Sequence, residues 1–454
     1  MSDSRSMIRE YTEGPVTRQL LAFAWPFMLS NLLQTAYNLV DMIVVGQFVG
    51  SAGLSAVGIG ADLVHLATFI SMGFCNAGQV IISQYVGLGD RASVARIVGT
   101  MFTFILGLSL AVTAAGLLGT GMWMRLLNVP PEALDYCRSY TVMCTAGLFF
   151  IFGYMMVSAI LRGMGDSKRP MVFIAIASAL NVVLDIILVG AGMGPFGAAV
   201  ATVTAQGVSF IVSVIYLWKN RHILGFEFHA RDLIPDRHNL KLLLRLGIPM
   251  MIQSCAISIS ALFVSSRINA FGVTASAVTG VGQKLSTIAS IITLALSQAG
   301  ATMIGQNFAA RKFDRVRRVL TDSLLIGCLF AAILSAAVIA RPEQVFSLFN
   351  DDPAVLAMSH AYVIVAVMNY FGWASRGPCT ALCNGMGFPL MNFILGIFDG
   401  VVMRIGLCLL LGEALGLGIR GYWIGSAAAG FAFFLVMLPY FLSGKWKKRA
   451  PPVV

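Results

Sequence analysis

Three acidic residues stand alone within long apolar stretches of this 454-residue sequence. Only Asp41 and Asp62 are charged between residues 19 and 89, and only Asp185 is charged between residues 170 and 218. An ionisable side chain inside a bilayer is costly and commonly marks an ion pathway or a proton relay. Asp41 and Asp185 are therefore the first candidates for function. Asp62 stands nearer a helix end, where a structural role is equally expected.

Two of these acids lie on polar helix faces together with other polar residues. Asn181 and Asp185 are four residues apart and share one face of a helix. Another polar face is formed, at intervals of three or four residues, by Gln34, Tyr37, Asn38 and Asp41. A carboxylate on such a face can bind and release a proton as its exposure changes. Carboxylate, amide and hydroxyl oxygens can instead hold Na⁺, and a third alternative is that each Asp is a hydrogen-bonded structural residue.

The second half of the chain has a different set of charges in its apolar stretches: Arg267, Lys284, Arg376, Asp399 and Arg404. When Pro170 is aligned with Pro389, the offset of 219 makes Arg404 the counterpart of Asp185. The cations either contact anionic groups of a substrate or form internal ion pairs, for instance with Asp399. Five residues separate Asp399 from Arg404, which is a poor spacing within an α-helix. We therefore expect any ion pair of Asp399 to need another helix.

The composition indicates which type of structure positions these residues. The chain is 58% hydrophobic and 11% charged, whereas a soluble domain has about 25% charged residues. Lipid must therefore surround much of it, and continuous apolar runs exclude the alternating strands of a β-barrel. A membrane span needs about 20 apolar residues. Twelve helices are predicted near 18–46, 53–86, 93–122, 133–161, 169–190, 196–218, 241–270, 276–308, 315–340, 354–383, 389–412 and 420–443.

An internal repeat divides these helices into two sets of six. The matched pairs, at offsets of 223, 222 and 222, are Pro26 and Pro249, Gln84 and Gln306, and Gly163 and Gly385. Because six is even, both halves enter the membrane in the same direction, as in transporters whose lobes rock against each other. The sequence thus predicts an all-α polytopic membrane protein with a six-helix lobe over residues 1–218, a cytoplasmic linker over 219–240 and a second lobe over 241–454.

The charge distribution predicts the orientation. Lys and Arg concentrate in alternate loops, for example at Arg91 and Arg96 and again over residues 311–318, and in the tail over 445–449. Cytoplasmic loops collect such residues, so we expect both termini in the cytoplasm of a cell with this chain in its plasma membrane. The net charge of +11 then needs no nucleic-acid partner.

The sequence also has no nucleotide-binding loop, metal triad or Ser–His–Asp arrangement. We expect a monomeric transporter rather than an enzyme, with lipid and small organic substrates as partners. We expect no cofactor beyond H⁺ or Na⁺ as the coupling ion.

Several motifs resemble the MATE (multidrug and toxic compound extrusion) family, most of all its bacterial subgroup of DinF and YoeA type. They are Ala24-Trp25-Pro26, the run 37–41 ending in Asp41, the run 161–166, the run 181–185 and the run 197–203. The resemblance implies two six-helix bundles around a V-shaped cleft. It also implies efflux of organic, often cationic, compounds in exchange for H⁺ or Na⁺.

The same resemblance implies roles for individual residues. Ion coupling, with Na⁺ as one possibility, would fall to Asp41, Asn181, Asp185 and Thr202. The substrate cleft would include Gln34 and Tyr37, and the sequence itself adds Asn38, Arg267 and Arg404. A bend of the first helix is expected at Pro26. Other branches of the family use carboxylates in the second lobe, where this chain has Arg404. An alternative is a flippase for lipids or lipid-linked sugars from the same superfamily.

Overall fold

A computed structural model of the chain describes residues 8–127, 129–224 and 233–454. Its regular structure in these ranges is helical throughout, with no strand. The α-helices are α1 Val16–Val49, α2 Ser51–Leu88, α3 Arg91–Leu126, α4 Leu134–Ala146, α5 Leu148–Gly163, α6 Lys168–Leu188, α7 Gly194–Lys219, α8 Arg221–Leu224, α9 Arg237–Asn269, α10 Val273–Ala309, α11 Phe313–Ala340, α12 Pro342–Ser347, α13 Pro353–Met386, α14 Pro389–Ile397, α15 Leu407–Leu409, α16 Gly418–Ala429 and α17 Ala432–Leu442.

Ten helical stretches in the described ranges are long and apolar enough to cross a membrane. An eleventh span is a pair bent by 47°, Pro131–Ala146 and Leu148–Gly163, which together match the single helix predicted near 133–161. One of the ten stretches, Lys168–Lys219, contains two helices joined by a break, so it provides two spans. The prediction of an all-α membrane protein with about twelve spans is therefore confirmed.

The break in that stretch is a hairpin between α6 and α7. Gly192 has φ 89° and Gly194 has φ 57°, values at which a side chain would be strained. The helices then run antiparallel, since the hydroxyl of Ser209 on α7 donates to the carbonyl of Phe173 on α6 at 3.1 Å. This hairpin brings the polar face of α6 against α7.

The internal repeat is visible in the backbone. Five residues with positive φ in the first half each have a partner with positive φ 222 to 224 positions later. The pairs are Gly50 and Gly272, Gly89 and Arg311, Gly165 and Gly387, Gly192 and Gly416, and Gly194 and Gly418. Arg311 is the one residue other than glycine with positive φ in the described ranges. The two halves thus share their turns.

Equivalent glycines also mark an equivalent helix crossing in each half. A Cβ on Gly163 would lie 2.8 Å from the carbonyl oxygen of Gln79. A Cβ on Gly385 would lie 2.7 Å from the carbonyl oxygen of Ala301, which is 222 positions after Gln79. Glycine recurs at positions 163 and 385 because only glycine allows this close approach of two helices.

The chain separates into two compact units whose boundaries cut through two long helices. Unit 1 comprises Met1–Glu10 and Leu29–Met251, and unit 2 comprises Tyr11–Met28 and Ile252–Val454. Helix α1 therefore changes unit after Met28, and α9 changes unit after Met251, a separation of 223 residues. Each change follows a helix-internal proline by two residues. The halves have exchanged the beginnings of their first helices.

In unit 2, the exchanged segment is held by one arginine of α11. The Arg315 guanidinium donates to the carbonyl oxygens of Tyr11 and Gly14 and to the amide oxygen of Gln19, at 2.7 to 3.1 Å. Later in the same segment, the hydroxyl of Thr17 donates to the carboxylate of Asp322 at 2.6 Å.

The predicted linker is only partly described. Helix α7 ends at Lys219, α8 follows, and α9 begins at Arg237, while residues 225–232 and the first seven residues lie outside the described ranges. Many apolar side chains of the helices are exposed, among them Leu118 of α3 and Leu325, Leu329 and Ile333 of α11. In a chain of twelve apolar spans, such a surface is suited to contact with lipid tails.

Candidate functional site

An acid cluster in unit 1 gathers residues from three helices. Asp41 lies on α1, Asn181 and Asp185 on α6, and Thr202 on α7. The Asn181 amide donates to the Thr202 hydroxyl at 3.3 Å, and this hydroxyl donates to Asp41 Oδ2 at 3.4 Å. The Asp185 carboxyl group is near enough to that of Asp41 to share a hydrogen bond when one of them is protonated. All four residues predicted for ion coupling are thus brought together.

The acids of this cluster are deeply buried and incompletely bonded. Asp185 is 0% exposed, Asn181 2% and Asp41 5%. Among the described residues, both oxygens of Asp185, Oδ1 of Asp41 and Oδ1 of Asn181 have no hydrogen-bond donor. Buried polar atoms are seldom left in this state. Four acceptor oxygens in one place can bind a proton or a hard cation.

Several uncharged side chains lie near Asp41, and the sequence did not identify them as site residues. Tyr140 and Cys144 of α4 are buried beside Asp41. Gln206, one turn after Thr202 on α7, is also buried and lies with Gln34 beside the hydroxyl of Tyr37. A spacing of four residues from Thr202 to Gln206 was the one available signal. These groups can orient the acids or contact a bound compound.

Of the other residues predicted for unit 1, Tyr37 lies near Asp41, with Gln34 beside its hydroxyl. Gln34 and Asn38 are exposed side chains of α1, although Tyr37 between them is buried. Asp62 is exposed on α2. Helix α1 continues through Pro26, so the proposed bend there remains a prediction.

A second charged cluster, which we call the basic cluster, lies within unit 2 and consists of Arg376, Asp399, Arg404 and Ser426. Arg376 of α13 forms a short ion pair with Asp399 Oδ2. Arg404 Nη2 contacts Asp399 Oδ1 at 3.4 Å, and Arg404 Nη1 donates to the Ser426 hydroxyl at 3.3 Å. The carboxylate is fully buried, and the side chains of the two arginines are 11% and 13% exposed. Internal ion pairing of these arginines is therefore observed.

The expectation that any ion pair of Asp399 needs another helix holds for Arg376 of α13 but is wrong for Arg404, which contacts Asp399 from the same stretch of helix. After α14 the backbone continues as a π-helix over Phe398–Gly406. A π-helix bonds residue i to residue i+5, so it places Asp399 and Arg404 on the same face. The expectation assumed an α-helix, in which a spacing of five residues separates two side chains. Such π-helical turns are frequent at functional sites.

Arg267, which was predicted to share the substrate cleft with Arg404, is separate from the basic cluster. Arg267, near the end of α9, lies 3.8 Å from Glu413, and both side chains are about half exposed. Glu413 also accepts a hydrogen bond of 2.5 Å from the Tyr422 hydroxyl. Among the described residues Arg267 thus belongs to a different group from Arg404.

The two clusters draw on corresponding helices of the two halves. The alignment of Pro170 with Pro389, at an offset of 219, pairs Asp185 with Arg404, whereas the turns before and after these helices, at offsets of 222 and 224, pair it with residues 407–409. The hairpin glycines Gly194 and Gly418 set a second offset of 224, which makes Ser426 the counterpart of Thr202. In unit 1 the hydroxyl donates to an acid, and in unit 2 its counterpart accepts from a base.

Comparison with known proteins decides the family. The MatE family model matches two segments of equal length, residues 26–187 and 249–410, which together cover more than two thirds of the chain. The chain belongs to this family of membrane transporters. The two matched segments are related by a shift of 223 residues, in agreement with the internal repeat.

Relatives of the chain match along nearly its whole length. It is 28% identical to the probable multidrug resistance protein YoeA of Bacillus subtilis, over 96% of this chain and 95% of YoeA. It is 27% identical to the probable multidrug resistance protein YpnP of the same organism, over 96% and 97%. The fold matches that of a MOP superfamily transporter from Pyrococcus furiosus with a TM-score of 0.89 and 23% identity, covering 99% of this chain and all of that one. The expected MATE fold and the resemblance to YoeA are confirmed, and the chain is a multi-pass membrane transporter.

Proposed function

We propose that this MatE transporter is a secondary-active exporter of organic, often cationic, compounds, driven by ions that bind the acid cluster of unit 1. The relatives YoeA and YpnP, described as multidrug resistance proteins, support the substrate class. The basic loops support a chain in the plasma membrane with both termini in the cytoplasm. We expect it to act as a monomer.

The proximity of Asp41 and Asp185 is the observation that carries the proposed coupling. Two carboxylates in a buried, apolar place repel each other, and removing both from water is costly. The arrangement therefore favours either one proton shared between the acids or one cation held by both. Release of that ion needs a change in exposure, which links occupancy of the cluster to conformation.

The proton is the simpler occupant. It satisfies the Asp41–Asp185 contact directly, because a protonated carboxyl donates to the other. A Na⁺ ion would instead use the free oxygens of both acids and of Asn181, together with the Thr202 hydroxyl. In the part of the chain that the structure describes, no three His, Cys, Asp or Glu side chains form a metal cluster. A weakly held monovalent cation is thus the second candidate.

Transport into inverted vesicles tests the proposal. A fluorescent cation such as ethidium is added outside inverted membrane vesicles that contain the full chain, and its accumulation in the lumen is followed after a proton gradient, acidic inside, is imposed. We expect Asp41→Asn to abolish gradient-driven transport, since a neutral amide cannot release a proton. Asp62→Asn, the same change at an exposed acid, serves as the control and should transport normally.

Retained gradient-driven transport in Asp41→Asn would overturn the coupling role of the cluster. Transport by the unaltered chain under a Na⁺ gradient at equal pH on both sides would assign the ion as Na⁺. No transport of any amine or dye by the unaltered chain would favour the flippase alternative, for which the basic cluster of unit 2 could contact an anionic headgroup.

A further inference from the structure

We propose that Arg404 of the basic cluster binds the carboxylate or phosphate group of an organic substrate. The inference rests on the proposed function, because it names a chemical class among the exported compounds. It makes the expected substrates zwitterions and acids as well as simple cations. The site lies wholly within unit 2.

The charges of the basic cluster do not balance. Two arginines face one carboxylate, and the ion pairs found among the described residues give Arg376 and Arg404 no other acid. Arg376 is buried within α13, a helix long and apolar enough to cross a membrane, ten residues before its last residue. An unmatched buried charge in such a helix is costly and indicates a function.

The spare bonding capacity belongs to Arg404 rather than to Arg376. Arg376 forms the shorter ion pair, and its guanidinium also lies over the rings of Trp373 and Phe433 at 5.7 and 5.3 Å. Arg404 makes two long contacts, and its buried Nε has no acceptor within the described ranges. A buried guanidinium N–H without an acceptor is unfavourable, so this face of Arg404 is ready to receive one.

The chemistry of this donor favours an oxyanion. A guanidinium presents parallel N–H groups that match the two oxygens of a carboxylate or phosphate. The Ser426 hydroxyl beside Arg404 can donate a further hydrogen bond when an anion displaces the guanidinium contact. One bound anion would bring the net charge of the cluster to zero. The half-buried ring of Trp373 offers an apolar contact to the rest of the compound.

Binding of two matched dyes tests this assignment without any ion gradient. The probes are a rhodamine with a free carboxylate and the methyl ester of the same dye, titrated against the purified full chain in detergent by fluorescence polarisation. We expect Arg404→Gln to weaken binding of the free carboxylate by about tenfold to a hundredfold. Binding of the ester should change by less than about twofold.

The variants are chosen so that folding does not obscure the result. Arg404→Gln leaves the Arg376–Asp399 pair balanced, so the helices should remain assembled. Arg404→Lys keeps the charge but loses the parallel N–H groups, and an intermediate affinity is expected. Arg420→Gln removes an exposed arginine of α16 and is the matched control, with no effect on either dye.

Equal losses for the acid and the ester, or no loss for either, would overturn the proposal. If inorganic phosphate alone raises the unfolding temperature in an Arg404-dependent way while dye binding ignores Arg404, the site takes a free anion and the substrate role fails. Failure of the efflux test does not affect this binding readout. The two proposals can therefore fail separately.

Discussion

The acid cluster of unit 1 and the basic cluster of unit 2 draw on corresponding helices of one repeat, yet they carry opposite charge. The first contains Asp41 and Asp185, the second contains Arg376 and Arg404, and Thr202 of the first is matched by Ser426 of the second. The turns and the close helix crossings at Gly163 and Gly385 are the same in both halves. The comparison teaches that positions governed by backbone geometry are retained, while buried polar positions are available for different chemistry.

The local helix geometry differs in the same way as the charge. In α6, Asn181 and Asp185 share a face at the α-helical spacing of four residues. In the second half, the π-helix over Phe398–Gly406 aligns Asp399 with Arg404 at a spacing of five. A change of helix type therefore accompanies the change from a cluster that can take up a cation to one that can take up an anion.

The largest effect is expected when an arginine replaces an acid of the acid cluster. Asp185→Arg places a permanent cation beside Asp41, where it neutralises the acid and excludes both H⁺ and Na⁺. We expect gradient-driven ethidium efflux to fall at least a hundredfold, to background. Asp62→Arg introduces the same side chain at an exposed position and should retain most transport. Substantial efflux by Asp185→Arg would show that coupling does not depend on this cluster.

Removing one acid from each cluster should affect stability differently. Asp399→Asn leaves two buried arginines without a counter-charge and should destabilise the fold by about 3–5 kcal/mol. Asp185→Asn relieves repulsion with Asp41 and should leave stability unchanged or raised. The measurement is the thermal unfolding midpoint of each variant in one detergent at neutral pH. Equal changes in the two midpoints would contradict the charge difference between the clusters.

The helices that follow Asp90 and its counterpart Lys312 begin differently. Asp90 caps α3 by accepting from the Ser93 N–H at 3.0 Å, whereas Lys312 makes no such cap for α11. Asp90→Ala should therefore cost about 1 kcal/mol. The Ser93 hydrogen bonds lower the pKa of Asp90 in the folded chain.

The pH dependence of this cap follows from that lowered pKa. Its contribution is complete above the unfolded pKa of about 3.9 and is lost as pH falls through the lower folded value. The difference in unfolding midpoint between the unaltered chain and Asp90→Ala should thus be constant near neutral pH and shrink below about pH 4. A difference that grows on acidification would exclude the capping explanation.

The smallest expected effect concerns the turns. Arg311 has φ 55°, whereas its counterpart Gly89 has φ 73° with no side chain to strain. Arg311→Gly should stabilise unit 2 by at most about 1 kcal/mol, because the left-handed conformation costs a side chain roughly 1–2 kcal/mol and glycine adds flexibility to the unfolded chain. Gly89→Ala should have the opposite sign. Lower unfolding midpoints for both variants would show that the turns are not equivalent.

Much of this organisation could be predicted from the sequence. Long apolar runs and isolated acids are strong signals, so the spans and the meeting of Asp41, Asn181, Asp185 and Thr202 followed from spacing and resemblance. Tyr140 and Cys144 escaped prediction because uncharged side chains inside an apolar helix look like packing residues. Pairing of the arginines with Asp399 was one of two alternatives, but contact between Asp399 and Arg404 within one helix was not predicted, because the residue types do not indicate a π-helix. The exchange of helix beginnings was also not predicted, because it is a long-range property.

That exchange has a consequence for the order of synthesis. Gly14 is held by Arg315, which is made 301 residues later. At about 5–20 residues per second, the ribosome needs roughly 15–60 s to supply this partner. In contrast, the start of α9 packs on residues made long before it, such as Tyr85, whose hydroxyl donates to Asn239. The first helix to be synthesised is therefore among the last to complete its contacts. During that interval the start of α1, the helix that carries Asp41, lacks its hydrogen bonds to Arg315.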